Sequence, residues 1–273
     1  MHLIPSFATI ASGVSIPYVE QGKGEPILFV HGSLCDYRYW FDQISGLSDD
    51  FRCVSVSLSH YWPADEACIQ AEFSWRAHVA ELGEFVAAMN FGPVHLVGHS
   101  RGGCVAFHVA REYPRLVKSL VLADPGGPLL LDHTMAHRSP PSVNALHSRV
   151  VDLISRHQVE PGLELFVDSV SEHGSWKRSP ALFRRMATDN AGTLAKQFHD
   201  PLPAYSLETA RDVKCKTLLI GGERSPRVYQ NNVNKLTKWI GSVEQSTIRG
   251  ASHGMNISHP GRFNRIVRAL VES

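Results

Sequence analysis

Residues 94–110, VHLVGHSRGGCVAFHVA, run an apolar strand directly into Gly98-His99-Ser100-Arg101-Gly102-Gly103 and then into a helix-period stretch. That join leaves the chain few options. A strand that passes into a helix within so few residues must turn sharply. The turn puts Ser100 in strained backbone geometry and exposes its side chain at the carboxyl end of a sheet. Gly98 and Gly102 leave room where a Cβ would collide with neighbouring backbone. The helix that follows points its N-terminal amides at the serine, and these favour developing negative charge. The pattern GxSxG is only moderately specific alone; the strand before it and the helix after it make Ser100 a candidate nucleophile.

The rest of the chain supplies a sheet for this turn. The runs PILFVHG, RCVSVSLS, VHLVGHS, SLVLADPGG, KTLLIGGE and VEQSTIRGAS read as strands. LFV, LVLA and LLI are apolar throughout, as in parallel strands covered on both faces. Helical stretches alternate with them, so the class is α/β with a mostly parallel, doubly wound sheet. Residues 74–90 place Trp75, Val79, Leu82, Phe85, Val86 and Met89 on one helical face, with Ser74 as N-cap. Residues 260–271 do the same with Phe263, Ile266, Val267 and Leu270 behind Pro260. Both stripes read as packing against the sheet. Residues 128–210 contain the loop HRSPPS and helical patterns at 142–157, 161–172 and 180–198, with no buried strand. This stretch reads as a helical cap inserted into a core formed by 1–127 and 211–273.

At the end of the first strong strand stands Val30-His31-Gly32-Ser33-Leu34. A loop here can turn a backbone amide towards the serine. Holding an oxyanion takes two amides, and the candidates are those of Ser33 and Arg101. His31 reads as a buried residue shaping this loop rather than as a base. FVHGS, LVGHSRGG and GASHGMNISHPGRFNRIV together resemble the α/β-hydrolase superfamily, from about residue 14 to the C-terminus apart from the cap. The resemblance implies the α/β-hydrolase fold with its cap after the sixth strand, no cofactor, and the chain order Ser, acid, His. It makes His253 the catalytic base and leaves His259, before the helix proline, without a catalytic role. The stretch SLSHYWPAD departs from the DxxGxG pattern of many members, so the loop is expected to be rebuilt, with Tyr61 and Trp62 near the approach to the site.

The acid has two candidate positions. Most superfamily members carry it after the strand matching KTLLIGGE, but there this chain has Ser225, 28 residues before His253, with Glu223 two positions earlier. Some dehalogenases and lactone hydrolases carry it one strand earlier, 24 residues after the nucleophile. Asp124 lies 24 residues after Ser100, between an apolar strand and Pro125-Gly126-Gly127. A carboxylate emerging there needs a partner, and an imidazole suits it. Asp124 is therefore favoured, with Glu223 held in reserve.

A serine with a histidine base and two amides points to acyl transfer to water through an acyl-enzyme. A carboxylesterase or lactonase acting on a small or medium substrate is the leading reading. A carbon–carbon hydrolase acting on a vinylogous diketone, and a non-catalytic ligand-binding protein on the same fold, are the alternatives. The apolar cap residues Leu146, Val150, Leu153, Leu163, Phe166, Val170 and Trp176 divide between pocket lining and cap core in a way the pattern leaves open. The formal net charge of +1 gives no reason to expect nucleic acid or an anionic membrane as partner. No signal peptide is read at the N-terminus. Five cysteines without a CxxC pair read as free thiols of a cytoplasmic protein, and fifteen histidines without HExxH do not suggest a metal. A homodimer is compatible with the sequence.

Overall fold

The computed structural model describes residues 3–131 and 141–273. Two strands, β1 (Ser6–Thr9) and β2 (Ser15–Gln21), precede the six apolar runs, which form β3 (Pro26–Val30), β4 (Arg52–Val56), β5 (Val94–His99), β6 (Val117–Ala123), β7 (Lys216–Gly222) and β8 (Val243–Ile248). They make one eight-stranded sheet in the order β1-β2-β4-β3-β5-β6-β7-β8. The pairs β1–β2 and β2–β4 are antiparallel and the other five are parallel. The antiparallel pair lacks the continuous apolar signal of the others, because β1 is short and largely exposed and β2 mixes buried with half-exposed positions.

Helices α1 (Phe41–Leu47), α2 (Glu66–Gln70), α3 (Trp75–Ala88) and α4 (Ser100–Glu112) connect the first six strands. Ser74 caps α3 by accepting the Ala77 amide at 3.0 Å. Six helices lie between β6 and β7 in the described residues: α5 (Pro141–Ser155), α6 (Val159–Val170), α7 (Ser175–Arg178), α8 (Ala181–Asp189), α9 (Thr193–His199) and α10 (Leu207–Arg211). Then come α11 (Arg227–Trp239), α12 (Met255–Ser258) and α13 (Pro260–Val271). The cap thus follows the sixth strand. Most of the HRSPPS loop, 137–140, lies outside the described residues.

Successive residues along the central strands enter different cores, as a period of two requires. Leu28, Leu96 and Leu120 pack with α3, α4 and α11 through Leu82, Phe85, Phe107 and Leu236. Their neighbours Phe29, Val97 and Val121 pack with α1 and α13 through Ile44, Leu47, Phe263 and Val267. A third cluster belongs to the cap and holds Val150, Leu163, Phe166, Trp176 and Leu194. Leu34, from the loop after β3, is buried in that third cluster. The core and the cap therefore share a hydrophobic contact beside the site. β3 pairs with β4 on one side and β5 on the other, so chain direction across the sheet reverses here and a crevice opens at the carboxyl ends of β3 and β5.

Candidate active site

Ser100 begins α4 directly after β5, with φ +53. This left-handed value is the strain expected of a side chain forced out of a strand-to-helix turn. A Cβ on Gly98 would strike the Gly102 carbonyl, and one on Gly102 would strike the His31 carbonyl, so neither site admits a larger residue. The helix passes directly under the loop after β3.

Asp124, also at positive φ (+40), directly follows β6 and is fully buried. Its Oδ2 lies 3.2 Å from His253 Nδ1. The same oxygen accepts the Ser225 hydroxyl at 2.5 Å. The residue standing at the usual acid position thus binds the carboxylate standing at the other one. Glu223 is exposed and serves elsewhere. Its Oε2 accepts the Gly250 amide at 2.8 Å and pins the loop that leads to His253. Arg224 does not pair with Glu223 and reaches the cap, 2.9 Å from Glu172.

The Asp124 turn is clamped from several sides. Gly126 donates to the Ser100 carbonyl at 2.8 Å. Asn232 of α11 donates to the carbonyls of Pro125 and Gly127, both at 2.8 Å. Tyr205 donates to Gly126 O at 2.7 Å. The His253 loop is held by His99, whose Nε2 donates to the His253 carbonyl at 2.8 Å. Burial keeps the His99 imidazole far below the ordinary histidine range and so neutral. Tyr229 stacks on His253 with ring centroids 3.9 Å apart. Asn232, Tyr205 and Tyr229 belong to no readable motif. His99 sits inside one, but at its variable position.

The loop after β3 faces Ser100, and Gly32 is close enough that a Cβ there would lie 3.0 Å from the Ser100 Cβ. The Arg101 amide falls in the first turn of α4, where no intrahelical acceptor exists. His31 is buried; its Nδ1 donates to Gly32 O at 2.8 Å and its Nε2 accepts the Leu58 amide at 3.0 Å. Burial lowers its pKa to about 4, so it shapes the loop as a neutral ring. Tyr61 is buried against His31, and Trp62 lies under the Arg38 guanidinium at 3.9 Å. Neither lines the cavity, so the expected place of these aromatics in the approach is corrected: packing on the loop occupies both rings.

The cap is bound to this machinery by polar contacts. Ser33 Oγ donates to Gln197 Oε1 of α9 at 2.6 Å. Arg101, only 4% exposed, pairs with Asp200 at 2.5 Å, and Asp200 also accepts the Trp75 amide at 2.7 Å. Asp36 and Arg38 pair with each other, and Arg38 reaches Asp189 of α8 at 2.8 Å. Between cap and core lies a cavity of about 1230 Å³, lined by Ser33, Ser100, Arg101 and His253 and by Leu146, Phe166 and Val170 of the cap. Val150, Leu153, Leu163 and Trp176 are buried in the cap interior instead, which divides the apolar cap residues between the two roles. Among the described residues no three histidine, cysteine or carboxylate side chains are grouped to hold a metal ion.

Residues 27–266 match the sequence model of the alpha/beta hydrolase family. The chain belongs to the alpha/beta hydrolase family. It is 30% identical over 272 residues to 2-hydroxy-6-oxo-6-(2'-aminophenyl)hexa-2,4-dienoic acid hydrolase of Metapseudomonas resinovorans, covering 93% of this chain and 86% of that one. It is 22% identical over 256 residues to (E)-2-((N-methylformamido)methylene)succinate hydrolase of Acinetobacter baylyi, covering 94% of each. An esterase from Exiguobacterium antarcticum has the same fold, with a TM-score of 0.81 at 16% identity over 99% of this chain and 100% of the esterase. As an alpha/beta hydrolase the chain is a hydrolytic enzyme, and the family spans several bond types. No helix among its described residues is long and apolar enough to cross a membrane.

Proposed function

We propose that this alpha/beta hydrolase is a serine hydrolase that cleaves a small or medium carboxylic ester or lactone through an acyl-enzyme. One observation carries the reading: the chain of contacts Ser225–Asp124–His253 converges on the cavity where Ser100 stands at φ +53. In this mechanism Ser100 Oγ attacks the substrate carbonyl carbon while His253 takes the hydroxyl proton. Asp124 holds the proton on Nδ1 and stabilises the imidazolium. The amides of Ser33 and Arg101 receive the negative oxygen of the tetrahedral intermediate. The intermediate collapses, the C–O bond breaks, and the leaving alkoxide takes the proton from His253. Water, deprotonated by the same histidine, then releases the acid and restores Ser100.

Beside Ser100 the charge pattern supports an uncharged reacting group, because the buried Arg101 is already paired with Asp200. A second reading, hydrolysis at a conjugated carbonyl, is favoured by the activities for which the two relatives described above are named. Both readings use Ser100 as nucleophile. A fluorophosphonate probe is expected to label the wild-type protein and to leave Ser100→Ala unlabelled. A folded, monodisperse wild type that takes up no probe would sink the serine-hydrolase reading. A series of nitrophenyl esters and lactones of increasing chain length, run beside a vinylogous diketone, separates the two substrate classes.

A further inference from the structure

Asp124 is fully buried, yet the described residues give its carboxylate few partners. Oδ1 has none, and Oδ2 is shared by Ser225 and His253. A buried carboxylate depends heavily on each hydrogen bond it keeps. Ser225 is itself 3% exposed and held in place, with its amide donating to Gly222 O at 3.1 Å. A Cβ on Gly222 would come within 2.6 Å of the Ser225 hydroxyl, so a glycine there leaves that oxygen its place. Neither Ser225 nor Asp124 lines the cavity. The Ser225 hydroxyl is therefore directed at the acid and not at a ligand.

We propose that Ser225 is a positioning residue that fixes the Asp124 carboxylate against His253. The inference rests on the triad proposed above. Oδ2 lies between the two donors, 2.5 Å from Ser225 Oγ and 3.2 Å from His253 Nδ1.

The test uses the whole protein, an activated ester and the fluorophosphonate probe. Labelling of wild type and not of Ser100→Ala first establishes the nucleophile, so a failure of the triad reading is seen separately. Ser225→Ala is expected to lower kcat roughly 10-fold to 100-fold, the size of one lost hydrogen bond to a charged group, with KM unchanged. Ser225→Thr, which keeps the hydroxyl, should recover most of the wild-type kcat, whereas Ser225→Cys, which keeps the volume without a strong donor, should stay as slow as Ser225→Ala. Folding of each variant is checked by circular dichroism. A folded Ser225→Ala with wild-type kcat overturns the positioning role. A folded Ser225→Cys with wild-type kcat assigns the side chain to packing and overturns it as well.

Discussion

Replacing Asp124 by asparagine preserves shape and removes only the charge, so its outcome isolates the electrostatics of the site. Two donors converge on Oδ2, the Ser225 hydroxyl at 2.5 Å and His253 Nδ1 at 3.2 Å. If asparagine places its carbonyl oxygen there, both hydrogen bonds survive but the imidazolium loses its counter-charge. Its amide group then occupies the position of Oδ1, a buried atom that has no hydrogen-bond partner among the described residues as a carboxylate oxygen. If it places the amide there instead, Nδ1 must accept and the proton moves to Nε2, so the ring can no longer take a proton from Ser100. Either arrangement disables the base. The expected loss in kcat is about 10⁴-fold, or ~5 kcal/mol on the barrier. The fold should survive, because a neutral isostere replaces a buried charge. Glu223→Gln is the control. Its carboxylate is exposed and, among the described residues, binds only the Gly250 amide, so the expected change is less than about threefold. Steady-state hydrolysis of a nitrophenyl ester reads both variants, with thermal melts to check folding. A collapse of Glu223→Gln with Asp124→Asn near wild type would refute the reasoning.

Two further outcomes follow from buried groups. Asp200→Asn leaves the buried Arg101 guanidinium without its counter-charge, which should cost roughly 3 kcal/mol and lower Tm by about 5–10 °C. It should also raise KM by loosening the cap, and adding Arg101→Met should restore part of the stability; a melt identical to wild type would show that the pair is not held as a buried one. His108 packs at a tilt against Trp75, and burial first, then Arg111 and Arg76, lower its pKa to about 3. Below about pH 6.5 the unfolded chain takes up a proton that the folded chain refuses, so stability present above 6.5 is lost as pH falls towards 3. His108→Phe should therefore gain about 2 kcal/mol more over wild type at pH 5 than at pH 8, read from urea melts. An equal difference at the two values would contradict this sign.

What the sequence determined by itself is local. A run such as LVLA becomes a central strand because its residues bury alternately on two faces, and the turn around Ser100 needs its glycines because backbones meet there. Those requirements act within a few residues, so they leave a pattern in the chain. The meeting of Asp124 with His253 was legible only as an interval shared with other members of the superfamily. The supports are a different matter. Ser225 on Asp124, Gln197 on Ser33, Arg101 on Asp200 and Asn232 on the Pro125–Gly127 turn each join residues about a hundred or more positions apart. Serine, glutamine and asparagine are common surface residues, and no spacing marks the few that a buried carboxylate or carbonyl will use. Only the tertiary structure decided which they are, because the need for a hydrogen bond arises when packing removes water from the group that requires it.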